Sequence, residues 1–182
     1  MAKIEKVTVY FVEPGPENTS DVVKAVIRRI EEGDIKPVIV ASTSGGTGVR
    51  FADALKGKAD VIAVSHQKMN PKLKEEVAKL GSVAVDETHL PFHKRGMDDV
   101  RSTLYALGQG FKVAVEVILI AADKGLVKPY KDVIGVGGSG GGADTAIIAR
   151  STATKEIFSE DLTKKLEVRE IIAMPLRKKW WE

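Results

Sequence analysis

Seven consecutive residues, Ser42-Thr43-Ser44-Gly45-Gly46-Thr47-Gly48, hold four hydroxyls and three glycines. The apolar run Val38-Ile39-Val40-Ala41 precedes them, and a short helical segment through Leu55 follows. Glycine bares backbone N–H groups, and a helix amino end carries partial positive charge, so a strand, loop and helix of this kind make a cradle for an anion. The loop lacks the closing Lys-Ser or Lys-Thr of a nucleoside-triphosphate loop and the GxGxxG spacing of dinucleotide folds. One phosphate fits it better than a chain of them. The competing structural reading is a glycine turn that lets a helix pack close to its strand, but such a turn has no use for four hydroxyls.

A second glycine cluster, Gly137-Gly138-Ser139-Gly140-Gly141-Gly142, offers almost no side chains, with Asp144 and Thr145 at its exit. A flat ring or sugar chain can approach such a backbone closely, and a bare hairpin connection is the alternative. The histidines are His66, His89 and His93. His66 ends a strand, and Pro91 breaks the helical geometry that His89 and His93 would need to share a metal. Glu116 could be a buried carboxylate beside a ligand, but Lys112, Glu116 and Asp123 fall on one helical stripe, and a solvated i,i+4 pair is the preferred reading, with no site role for Glu116. No nucleophile with its base, paired carboxylates or metal cluster assembles from neighbouring positions, so binding is more legible than catalysis. The lack of cysteine rules out thiol chemistry and disulfides and fits a reducing cytoplasm.

The elements that must position these loops alternate. Strands are expected at Lys6–Val12, Val38–Ala41, Val61–Val64, Ser82–Val85, Val133–Val136, Thr145–Ala149 and Glu170–Met174. A helix capped by Thr19 or Ser20 runs to Gly33, one capped by Asn70 starts at Pro71, and two more span Met97–Leu107 and Phe111–Lys124. This alternation predicts an α/β fold, a three-layer, mainly parallel sheet with helices on both faces and an antiparallel strand near the C-terminus. All 182 residues read as one domain. The longest apolar run, Val113–Ala122, is broken by Glu116 and too short for a bilayer, and no signal pattern opens the chain, so a cytoplasmic protein without a membrane partner is expected. The net charge of +3 is spread out, which argues against a nucleic-acid partner. The tail Arg177-Lys178-Lys179-Trp180-Trp181 offers aromatic area for a subunit contact.

The segment Val38–Gly48, with Ala59-Asp60-Val61-Ile62-Ala63-Val64-Ser65 after its helix, resembles the C-terminal α/β domain of pyruvate kinase. Pro14-Gly15-Pro16-Glu17-Asn18-Thr19, Ala121-Ala122-Asp123, Gly137-Gly138, Gly142-Ala143-Asp144-Thr145-Ala146 and Met174-Pro175 are similar to small stand-alone, mostly archaeal relatives of that domain, some found with FMN. The resemblance implies a small phosphorylated ligand, FMN above all, with Ser42, Thr43, Ser44, Gly45, Gly46 and Thr47 at its phosphate and Asn18, Gly138, Ser139 and Asp144 lining the rest. It also implies a homo-oligomer. Pyruvate kinase activity is not expected, because that chemistry needs a barrel of roughly 250 residues. A flavoprotein of unknown reaction is the first expectation. A regulatory domain that senses a phosphorylated metabolite, and a structural subunit with vestigial loops, are the alternatives.

Overall fold

The computed structural model describes residues 3–33 and 37–180, so Trp181 of the aromatic tail lies outside the described residues. Seven strands form one sheet in the order β1-β7-β6-β5-β2-β3-β4. They are β1 (Val9–Phe11), β2 (Pro37–Ala41), β3 (Asp60–Val64), β4 (Val83–Val85), β5 (Asp132–Gly137), β6 (Thr145–Arg150) and β7 (Val168–Pro175). Neighbours run parallel except for β6, which is antiparallel to both β5 and β7. The expected architecture is therefore the observed one. The first strand is shorter than expected because β1 pairs only along Val9 to Phe11 with Ala173 to Pro175. Pro175 closes β7 opposite Phe11 of β1, beyond Ala173, the last β7 residue in register with β6, so its missing N–H falls at the end of the strand.

The helices are α1 (Thr19–Gly33), α2 (Gly46–Ala54), α3 (Pro71–Lys79), α4 (Asp98–Tyr105) and α5 (Gln109–Asp123). Alternation along the strands sorts them into layers. Val38 and Val40 of β2 pack with Val22, Val26 and Ile30 of α1 and Phe51 of α2 on one face. Ile39 faces the other way, toward Phe111, Val115, Ile118 and Leu119 of α5. The expected cap holds for α3, where the Asn70 side chain accepts from the Lys72 amide at 2.9 Å. At α1 the Thr19 hydroxyl works differently: it donates to the Pro16 carbonyl and accepts from the Ala143 amide at 2.9 Å, joining the helix to the second glycine loop.

Helix α5 lies unusually close to the sheet because its neighbours there are glycines. A Cβ on Gly137 would stand 2.1 Å from the Gly110 carbonyl oxygen, and one on Gly135 would stand 2.5 Å from that of Ala114. Both contacts are with backbone, which cannot rotate aside. Gly137→Ala is therefore expected to destabilise the fold by at least ~2 kcal/mol through overpacking, whereas Gly57→Ala, which meets open space at a turn, should cost less. Urea unfolding of the two variants against the parent measures the difference, and equal midpoints for all three would remove the close-packing argument.

Candidate functional site

In sheets of this kind, ligands bind beyond the carboxyl ends of the strands, where the chain reverses its direction of winding. Here β2 leads outward to β3 and β4, and the chain then returns through α4 and α5 to place β5 on the other side of β2. At that point lies a cavity of about 1030 Å³. Its walls are the Ser42–Thr47 loop, the Ser65–Asn70 segment, parts of α4 and α5, and the second glycine loop. Ligand pockets are usually roughly 300–1,000 Å³, so there is room for much more than a phosphate.

The first loop organises its own amides. Ser42 is buried, and its Oγ accepts from the Gly48 amide at 2.9 Å, while Ser44 Oγ accepts from the Gly46 amide at 3.3 Å. These serines thus satisfy the first and third N–H groups of α2. The amide of Thr47, between them, has no protein partner among the described residues. Gly45 has a φ of 102°, a left-handed turn that favours glycine, and its buried Cα packs against Leu73. Thr43, Ser44 and Thr47 line the same cavity.

The second loop contributes Gly138, Gly140, Gly141 and Gly142 to the opposite wall. Asn18, Ser139 and Asp144, expected to line the site, stand behind that wall. Asn18 Nδ2 donates to the Glu13 carbonyl at 2.9 Å and closes the turn before α1. Asp144 is fully buried, and its Oδ2 accepts from the Gly15 amide at 3.2 Å and the Ser139 amide at 3.1 Å. Its Oδ1 accepts from the Thr145 hydroxyl at 2.9 Å. A charge this deep must be fully hydrogen-bonded, and three donors achieve that here.

The largest departure from expectation is on α5. Lys112 and Glu116 do not form a solvated pair: their side chains are 3% and 4% exposed, joined by a 2.9 Å ion pair at the cavity wall. Glu116 also accepts from the Phe92 amide at 3.1 Å, and Lys112 Nζ lies 3.4 Å from His93 Nε2 and 5.8 Å from the centre of the Tyr105 ring. Asp123 belongs elsewhere, accepting from His89 at 2.8 Å and from the Thr154 amide at 2.7 Å. Burial pushes the Asp123 carboxyl up, but the Thr154 and His89 hydrogen bonds outweigh it and hold the group below the usual range. His66 stands exposed on the cavity rim.

With fold and cavity established, the class is clear: an α/β domain with a cavity at the switch point of its sheet. Residues 20–149 match the family model described as pyruvate kinase, alpha/beta domain. The chain belongs to that family. No described helix is long and apolar enough to cross a membrane.

Two outcomes are expected from these contacts. Asp144→Ala strands two buried backbone amides and should cost ~2–4 kcal/mol, while Asp144→Asn, whose carbonyl can still accept from them, should cost less than half as much in the same urea titration. Equal losses would show that charge, not hydrogen bonding, matters there. Burial, aided by the Lys112 ammonium, holds the His93 imidazole below its ordinary range. The unfolded chain therefore takes up this proton first as the pH falls below ~6.5, and stability declines from there until the folded His93 is protonated too. His93→Gln should flatten this decline between roughly pH 5 and 7 in urea titrations, and an unchanged slope would contradict the assignment.

Proposed function

We propose that the protein binds a phosphate monoester in this cavity, with FMN as the ligand and a flavoprotein as the functional class. The observation that carries the reading is the Ser42–Gly48 loop. Its serines satisfy the amides flanking Thr47 and leave the Thr47 N–H without a protein partner among the described residues, and Thr43, Ser44 and Thr47 all line the cavity beside it. Backbone donors at a helix amino end are the chemistry a phosphate dianion requires.

The remaining walls support the rest of FMN. Gly138, Gly140 and Gly141 let a ribityl chain approach backbone, and Val113, Val117 and Ile120 form an apolar stripe on α5 against which a flat ring can lie. In this reading Asn18, Ser139 and Asp144 act by holding the glycine loop in shape. Bound FMN would supply hydride or single-electron transfer.

The test is Thr47→Asp. A carboxylate in the first turn of α2 suits the helix amino end, so the fold should be unchanged or steadier by ~0.3–1 kcal/mol. Facing a phosphate dianion at about 4 Å, the same carboxylate should weaken FMN binding by ~100-fold or more. Thr163→Asp, at an exposed position outside the cavity, adds the same charge and should leave affinity unchanged. Fluorescence titration with FMN gives the affinities. Parent-like binding by Thr47→Asp would mean that this loop does not hold the phosphate.

A further inference from the structure

Helix α5 presents a continuous stripe to the cavity: Gln109, Lys112, Val113, Glu116, Val117 and Ile120, at helical spacings of three and four. Two of its polar atoms are unfinished. Gln109 Oε1 is buried and has no hydrogen-bond partner. Lys112 is 97% buried by its side-chain exposure of 3%, and its ammonium carries three N–H donors, of which Glu116 and His93 take two. The Tyr105 ring, 5.8 Å away, is at the outer limit of a cation–π contact and does not need the third.

A purely structural ion pair does not explain this arrangement. Burying two charges is costly, and a well-packed apolar pair serves stability as well or better. Glu116 has both oxygens engaged, by Lys112 and the Phe92 amide, and so acts to fix Nζ in place. The atoms left over are one acceptor and one donor, a turn apart, beside an apolar strip. Burial of an unmatched acceptor is tolerated when a ligand completes it.

We propose that Gln109 and Lys112 read the lactam or imide edge of a heterocycle, Gln109 Oε1 accepting its ring N–H and Lys112 Nζ donating to the adjacent ring carbonyl. Glu116 and His93 are positioning residues for Lys112. The ligand class is a phosphate monoester joined to an amide-bearing ring, which rests on the phosphate assignment of the Ser42–Gly48 loop. A flavin and a uracil both carry such an edge, so the probes must separate them.

Calorimetric titration with FMN, N3-methyl-FMN, uridine monophosphate and ribose 5-phosphate tests it. The first pair differs only in the ring N–H, and the second pair in the presence of the ring. Parent protein should favour FMN over N3-methyl-FMN by roughly tenfold, and Gln109→Leu, which leaves the ion pair intact, should erase that gap. Lys112→Met combined with Glu116→Gln removes both charges together, and it should weaken FMN by roughly tenfold or more while leaving ribose 5-phosphate binding unchanged. Circular dichroism melts establish that both variants are folded. If FMN does not bind but uridine monophosphate outbinds ribose 5-phosphate, and Gln109→Leu abolishes the advantage, the edge assignment stands and the flavin reading falls. If neither edge-bearing probe is preferred by the parent protein, or the preference survives in both variants, the edge assignment is overturned.

Discussion

The carboxylate of Asp144 is the contact on which the cavity depends. It is fully buried, accepting from Gly15 in the turn before α1, which is distant in sequence, and from its near neighbours Ser139 in the second glycine loop and Thr145 at the start of β6. Removing a carboxylate from water is costly unless donors surround it, so the segments that supply those donors are held where the charge lies. The first turn of α5 is held there as well. A Cβ on Gly110 would stand 2.3 Å from Asp144 Oδ1 and 2.4 Å from Thr145 Oγ1, so only glycine lets the helix start against this cluster. With α5 fixed at its start and pressed onto Gly135 and Gly137 of β5, the stripe from Gln109 to Ile120 has one orientation.

The two ends of the cavity use charge differently. In the proposed reading the Ser42–Gly48 loop needs no cation, because the amino end of α2, with its Thr47 amide left without a protein partner among the described residues, favours an anion by itself. At α5 an ion pair is taken out of water, and its benefit is directional: Glu116, anchored by the Phe92 amide, sets the position of the Lys112 ammonium. Neutral His93 beside it adds an acceptor without adding a second positive charge, consistent with burial and Lys112 both opposing its protonation.

Much of this was legible in the residues. Apolar runs bounded by glycine and proline marked the strands, and the hydroxyl and glycine spacing marked the first loop, because backbone conformation and local hydrogen bonding are encoded nearby. The antiparallel β6 was legible too, since only seven residues, Gly138 to Asp144, separate it from β5, with which it pairs. Asn18, Ser139 and Asp144 were placed near the right loop but in a lining role, because only the folded chain shows which side of a loop meets the cavity. Lys112 and Glu116 read as a solvated pair because i,i+4 spacing alone carries no information about burial, and the fold buries both. Helix α5 is apolar almost all the way round, with Phe111, Val115, Ile118 and Leu119 on the face opposite the cavity. A helix of that composition is buried, so a lysine and a glutamate one turn apart within it are themselves a signal.

The central claim is that the open amide and hydroxyls of the Ser42–Gly48 loop select a phosphate. Its most direct test is calorimetric comparison of FMN with riboflavin, which shares the ring and ribityl chain and lacks only the phosphate. FMN should bind at least ~100-fold more tightly, a difference that charge-assisted hydrogen bonds to one phosphate readily supply. Equal affinity for the two, or tighter binding of riboflavin, would contradict the account.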